Sequence, residues 1–563
     1  MFRSRLVRLV ALPLSLMVAA VFVACGETET VEVIKEVEVI KEVEVIKEVP
    51  AKPAAAPKID KVSVALPPPD TQNNRIWSGP WGILVQHDPY GETLLGNDSV
   101  SSKPIPQLAK AWEVSDGFTT WSFDLQEGVE WQGGHGAFTS ADVIHTRELL
   151  TREDSISTFK TLWGNASVSA DGPNQVTFKF DPAMIDGTRL FSRQGGDLII
   201  HSKAQWDAAG GKDSAYDDNV AGTGSFAFVS RKVDQNVLYE KVPGHWAGED
   251  PDFNQLEWVW SPEDFTRQAL LLSGRVQAAG ISRELRQGTN AAGMKTISSN
   301  NQNNMTIGIF GGLYLNTGNE HYKGPEPQHD IRVREAMNRA IDRQAILEEV
   351  FYGEADVVKI EIMTPYNEGW SDRWVNEFDA KYGYDVAKAK QLIADYEKEN
   401  GDIAITLNSV AWSGNEEMPT LTLILADYWE AIGIDTEVQP LDSGEYNRQL
   451  QKHEMHNKFA ISRNSPIRTV QEGLRVFYYE NNNAYQQDDL DTAYECLVNS
   501  VDASERNKCA QDAGDIIFDH YASVPLFQKT YDLAIDPTYI EGWQYPGVGS
   551  AHPTHVHNIK SAQ

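Results

Sequence analysis

Two arginines, four aromatic side chains and a histidine-bearing tail are the residues of this 563-residue chain whose types suit ligand chemistry. Arg463 and Arg468 sit in Phe459-Ala-Ile-Ser-Arg-Asn-Ser-Pro-Ile-Arg468, a stretch with no aspartate. A guanidinium grips a carboxylate, sulfate or phosphate through two parallel hydrogen bonds. An inward arginine there favours an anionic or zwitterionic solute over a free amine. The competing reading is that both pair with surface carboxylates, which are abundant here. Trp412, in Ala-Trp-Ser-Gly-Asn415, falls in a loop after a strand-like run and is suited to stacking on a sugar or clamping a ligand. Trp77, Trp81 and Tyr90 are its counterparts earlier in the chain. Together the four make an aromatic-lined cleft; singly, each reads as packing. His552, His555 and His557 have metal-ligand chemistry, but they sit in a tail and no metal is assigned to them. His453-Glu-Met-His456 is one residue short of a zinc-protease motif and does not put both imidazoles on one helical face. No Gly-x-Ser-x-Gly or other recognisable nucleophile setting is present, so neither catalysis nor a cofactor is expected.

Positioning these side chains falls to a mixed α/β pattern, densest over residues 106–142. Trp112 and Val114 alternate with Glu113 and Ser115. Asp116-Gly117 then signals a hairpin, because glycine takes the positive φ of a tight turn. Trp121, Phe123 and Leu125 alternate with Ser122, Asp124 and Gln126, the period of a half-buried strand. A second turn at Glu127-Gly128 and a glycine-rich loop lead to Thr139-Ser-Ala-Asp142, where hydroxyl and carboxylate can cap a helix start. The pattern predicts a helix over 141–150 and strands over 62–66, 175–180, 313–316, 403–408 and 434–438. From Arg332 to Val350, apolar residues such as Val333, Met337, Ile341 and Leu347 recur at helical spacing, and Gly353 is a natural C-cap. Asp342 and Arg343 are expected to pair at the surface there. A further helix is expected over 423–432. Such alternation of helices and strands implies an α/β domain.

A net charge of −32 argues against a nucleic-acid partner, which needs a basic surface, and reads as solubility. Hydrophobic content of 41% with 10% aromatics excludes an overall disordered chain, and the length allows two or three lobes with their own cores. Residues 1–24 carry Arg3, Arg5 and Arg8, then an apolar run broken only by Pro13 and Ser15, which is a secretory leader. Val23-Ala24-Cys25-Gly26 resembles a bacterial lipobox, with Phe22 in place of the usual leucine. Cys25 is therefore expected to become a lipidated first residue, holding the protein to the outer face of the membrane. Residues 25–57 repeat Val-Glu-Val-Ile-Lys-Glu three times and end in a Pro/Ala run. A six-residue period drifts around a helix and builds no heptad stripe, so this reads as a stalk, about 100 Å long if fully extended. Cys496 and Cys509 fall on two successive expected helices, and an oxidising compartment permits a disulfide between them.

The run P-x-L-A-K-x-W-E-V-S-D-G from Pro106, then W-x-F-x-L-x-x-G-V-x-W from Trp121, then T-x-A-D-V from Thr139 is similar to the signature of family 5 extracytoplasmic solute-binding proteins, the peptide/nickel type. Gly222-Thr-Gly224 resembles that family's GTG-P-Y segment, with Ser225 and Phe226 replacing Pro and Tyr. The Arg332-Val-Arg…Ala-Ile-Asp-Arg343 helix and Tyr384-Asp385 resemble two more of its marks. The resemblance covers nearly everything from Lys58 to Trp543. It implies an α/β, periplasmic-binding-protein-like fold (class II, cluster C type) with two hinged lobes, the first enlarged by an extra subdomain. The boundaries it suggests are lobe I over 58–92, 218–314 and 521–563, subdomain II over 93–217, and lobe III over 315–520, with strands near Leu315-Asn316 and Val524-Pro-Leu526 crossing between lobes. The implied role is capture of a peptide or peptide-like solute, an oligosaccharide or an anionic organic compound, and its delivery to an ABC permease. The alternative is a lipid-anchored receptor that senses solute and signals. Peptide-binding relatives commonly carry an aspartate after a late strand to meet the peptide amine, where this chain has Arg463 and Arg468 instead.

Overall fold

The computed structural model describes residues 59–562 apart from 70, 80–84, 116, 158, 182, 186, 194–197, 218, 303, 366, 411–414, 416, 465–468, 479–485 and 548–552. The leader, Cys25, the repeats of the stalk, Trp81, Trp412, Arg468 and His552 lie outside the described residues.

The strand Lys61–Leu66 is buried on both faces after its first residue, because it runs through the middle of a seven-stranded sheet. In order, the sheet is Lys295–Ser298, Asp532–Ile535, Ala278–Ala279, Lys61–Leu66, Gln255–Trp260, Asn236–Lys241 and Phe226–Lys232. Lys61–Leu66 runs parallel to its two neighbours, and the outer pairs are antiparallel. The expected meander forms a separate four-stranded sheet. Ala109–Ser115 and Thr120–Leu125 pair with Trp112 opposite Phe123, around a turn where Gly117 takes φ 63°. Gln175–Phe180 and Ala166–Ala170 complete that sheet. The helix Ser140–Leu150 starts as its sequence suggests, with the Asp142 carboxylate accepting the Thr139 N–H at 2.8 Å. Trp121, Phe123 and Phe178 pack on Phe191, and this sheet and the first share one hydrophobic core.

A second core is built on a six-stranded sheet of Asp356–Val357, Ser523–Lys529, Asn304–Gly311, Lys458–Asn464, Ala404–Val410 and Asp435–Leu441. Two cores make two lobes, the first enlarged by the four-stranded subdomain, which is the expected α/β class. Among the described residues no helix is long and apolar enough to cross a membrane.

Three sequence expectations change. The strand expected over 313–316 forms earlier, at Asn304–Gly311, where Met305, Ile307 and Ile309 are buried. That strand and Ser523–Lys529 belong to the second sheet rather than to lobe I, because Ile307, Ile309, Val524 and Leu526 all enter its core. The crossings between lobes consequently lie between Ser298 and Asn304 and between Lys529 and Asp532. Finally, the helix expected from Arg332 to Val350 breaks into Ile331–Arg339 and Arg343–Glu349. Asp342 does not pair with Arg343; its carboxylate caps the second helix by accepting the Ala345 N–H at 3.0 Å. Arg343 turns inward, donating to the carbonyls of Pro525 at 2.8 Å, Asn338 at 3.1 Å and Tyr382 at 3.2 Å.

Candidate functional site

The two crossings lie side by side and are laced together. The Ser299 N–H donates to the Tyr531 carbonyl at 2.8 Å, and the Tyr531 N–H donates to Ser299 Oγ at 3.0 Å. A cluster of charges closes around them. Arg283 donates to Glu417 and to Asp532, each at 2.8 Å. Arg286 reaches Asp532 at 2.6 Å and Glu354 at 3.0 Å. Lys529 donates to the two Glu417 oxygens at 2.5 and 2.6 Å. Arg283, Arg286 and Asp532 come from the first lobe, whereas Glu354, Glu417 and Lys529 come from the second. Three cations meet three anions, so each desolvated charge has a partner, as buried charges require. Burial pushes the Glu417 carboxyl up, but Lys529 and Arg283 outweigh it and hold it down at about 2.

A second set of contacts joins the four-stranded subdomain to the second lobe. Arg189, in the short helix Gly187–Leu190, forms an ion pair with Glu472 of the helix Val470–Phe477. Both side chains are largely shielded, at 11% and 16% exposure. Glu472 sits in the first turn, where the helix dipole favours an anion, and its N–H donates to the Thr469 hydroxyl at 3.1 Å. At the tip of the subdomain's hairpin, the Cβ position of Gly117 lies 3.6 Å from Val501 Cγ1. Val501 stands in the turn between the helices Asp488–Asn499 and Ala503–Asp519, which the Cys496–Cys509 disulfide staples at a Cα separation of 5.8 Å.

Of the six candidate ligand residues from sequence, Trp77, Tyr90 and Arg463 are among the described residues, the first two in the first lobe and Arg463 in the second. Trp77 is 2% exposed and packs edge-on against Trp206 and Tyr216, with the Arg152 guanidinium 4.9 Å from its ring. Tyr90 is equally buried, and its carbonyl accepts the N–H groups of Thr223 and Gly224. Both rings are buried in the first lobe's hydrophobic core. A side chain on Gly222 would run into the Tyr90 carbonyl, which is why the Gly-Thr-Gly segment needs glycine there. Arg463 lies on Lys458–Asn464, opposite Thr306, half-buried in the second sheet. Charges that meet across the lobes, among them Arg189 with Glu472, Arg283 with Glu417 and Arg286 with Glu354, carry no such mark in the sequence. The only sequence signal for Glu472 is the helix-start pattern Thr469-Val-Gln-Glu472, which says nothing of a partner far upstream.

The tail histidines are anchored against the first lobe. His555 Nε2 donates to the Asn97 carbonyl at 2.8 Å, and His557 Nδ1 lies 3.1 Å from Glu249. They help to line a cavity of about 210 Å³ that also receives Glu92, Trp246 and Arg193. The Trp246 indole donates to Glu92 at 2.9 Å. Burial, and then neighbouring Glu249, push the Glu92 carboxyl up to about 7. Among the described residues no three His, Cys, Asp or Glu side chains converge as a metal-holding group.

Residues 103–485 match the bacterial extracellular solute-binding proteins, family 5 Middle. Heme-binding protein A of Haemophilus influenzae is 25% identical over 379 residues, 62% of this chain and 64% of that protein. The dipeptide-binding protein of Escherichia coli is 24% identical over 382 residues, 63% of this chain and 66% of that protein. The matched part thus spans under two thirds of the length of both relatives. Among solved structures, an ABC transporter substrate-binding protein of Listeria monocytogenes superposes with a TM-score of 0.71 at 18% identity, covering 90% of this chain and all of that one. That likeness establishes the two-lobed fold.

Proposed function

The chain belongs to the bacterial extracellular solute-binding proteins of family 5, and from that premise we propose that it is the capture subunit of an ABC importer. It takes a small solute between its lobes, closes, and presents the closed form to a membrane permease. The observation that carries this reading is the hinge: two separately cored lobes joined by two laced crossings inside a charge-balanced cluster. Closure works as a population shift, because a solute touching both lobes binds the closed form better than the open one. The solute class is a peptide or peptide-like compound, an oligosaccharide or an anionic organic compound. The heme- and dipeptide-binding names of the relatives support a small organic ligand. Import is favoured over sensing by the same kinship, and no catalytic step is assigned. Cys25 is the proposed lipid-bearing residue after removal of residues 1–24, which keeps the lobes outside the cytoplasm. Cys25→Ala should abolish incorporation of labelled fatty acid, and undiminished labelling would refute the anchor.

The test is thermal unfolding of the detergent-solubilised full chain with di- to hexapeptides, oligosaccharides, anionic amino-acid conjugates and Ni²⁺. A ligand at a hundred times its Kd stabilises by about 2.7 kcal/mol, a shift easily seen. Stabilisation by an anionic solute that Arg463→Ala removes would support arginine recognition. A panel in which no solute moves the transition counts against capture.

A further inference from the structure

We propose that Arg189 and Glu472 form a closing latch, an ion pair made only when the lobes are shut, which sets how often the empty protein closes. This rests on the capture reading above. A contact shifts an open–closed equilibrium only if it differs between the two states. The hinge cluster fails that criterion: Arg283, Asp532, Glu417 and Lys529 flank the crossings themselves, where rotation moves atoms least. Arg189 and Glu472 stand on other elements than the crossings, the helices Gly187–Leu190 and Val470–Phe477. They belong to the four-stranded subdomain and to a helix of the second lobe, which parting of the lobes must separate.

The pair also has the energetics of a reversible latch. At 11% and 16% exposure the two charges attract more strongly than surface ions do, and a guanidinium meets a carboxylate with directional hydrogen bonds. Shedding water on closure takes back part of that gain, so the latch biases the equilibrium without locking it. The Thr469 hydroxyl caps the helix by accepting the Glu472 backbone N–H, which fixes the main chain that carries this carboxylate. The same two bodies also approach each other where the Gly117 turn comes close to Val501 on the disulfide-stapled turn.

Spin labels on the exposed positions Glu113→Cys and Thr492→Cys read the separation of the subdomain from the second lobe in the solute-free full chain, by pulsed electron resonance. The unaltered pair should give a measurable short-distance population. Arg189→Gln and Glu472→Gln should each lower the closed-to-open ratio about tenfold, the loss of one charged hydrogen-bonded pair. The double neutral variant should be no more open than either single one. The charge swap Arg189→Glu with Glu472→Arg should recover part of the short-distance population, an outcome that a mere folding defect does not produce. Absence of any short-distance population in the empty protein, or single variants that leave it unchanged, would overturn the latch. If a solute then closed every variant alike, capture would stand while the latch fell. If no solute closed any form, capture itself would fail.

Discussion

Glu92 keeps in the folded protein a proton that it gives up when the chain unfolds. Its carboxyl is pushed up to about 7 from an ordinary 4.5 by burial and by Glu249. Between those two pH values the folded form binds more protons than the unfolded one, so stability falls as pH rises through the window, by roughly 3 kcal/mol in all. Glu92→Gln should flatten that slope and raise the melting temperature at pH 8 more than at pH 5. An unchanged pH profile would refute the assignment. Glu417 behaves oppositely. Held down at about 2, it contributes stability above the ordinary carboxylate range that is lost as pH falls from about 4.5 towards 2. Glu417→Gln leaves Lys529 and Arg283 short of an anion in a buried place. It should cost about 3 kcal/mol in urea unfolding at neutral pH, and a loss below about 1 kcal/mol would mean that water reaches the cluster. Neither carboxylate stands out in the sequence, because its neighbours come from distant parts of the chain.

At the scale of elements, local pattern and final structure agree wherever short-range chemistry decides. The hairpin turn at Gly117, the Trp121-Phe123-Leu125 strand and the Thr139 helix start are where their residues put them. Agreement fails at Asp342, because an apolar period runs on through 340–342 while the carboxylate offers the backbone a better partner. The stapled hairpin of Asp488–Asn499 and Ala503–Asp519 gives a prediction of its own. The bridge spans 13 residues, and closing a loop of that order restrains the unfolded chain by about 3 kcal/mol. Cys509→Ser should lower stability by about that amount, and reductant should then have no further effect on the variant's melting temperature. A variant still sensitive to reductant would point to another bridge.

For the molecule as a whole, two cores linked by two short crossings make rigid-body rotation the soft motion, since each lobe keeps its own apolar contacts as it turns. Small-angle scattering should therefore show the radius of gyration falling when a stabilising solute from the panel is added, with far-ultraviolet circular dichroism unchanged. A radius that stays fixed while the solute stabilises the protein would mean that binding occurs without closure. The charge of −32 leaves ample carboxylate to solubilise both lobes, while at the hinge Arg283 and Lys529 each meet a carboxylate.

The sequence by itself determined the α/β class, the meander and its capped helix, and the membership that follows from their motifs. All of these depend on side-chain periodicity, turn residues and caps within a few tens of residues. Tertiary structure alone decided which sheet received Asn304–Gly311 and Ser523–Lys529, since an alternating apolar strand fits either core equally well. It also buried Trp77 and Tyr90, because burial depends on what covers a ring and not on the ring itself. Most of all, it chose the pairs Arg283 with Glu417 and Arg189 with Glu472. A charge carries no record of its partner, and only the folding of two lobes onto one hinge brings such distant residues within reach.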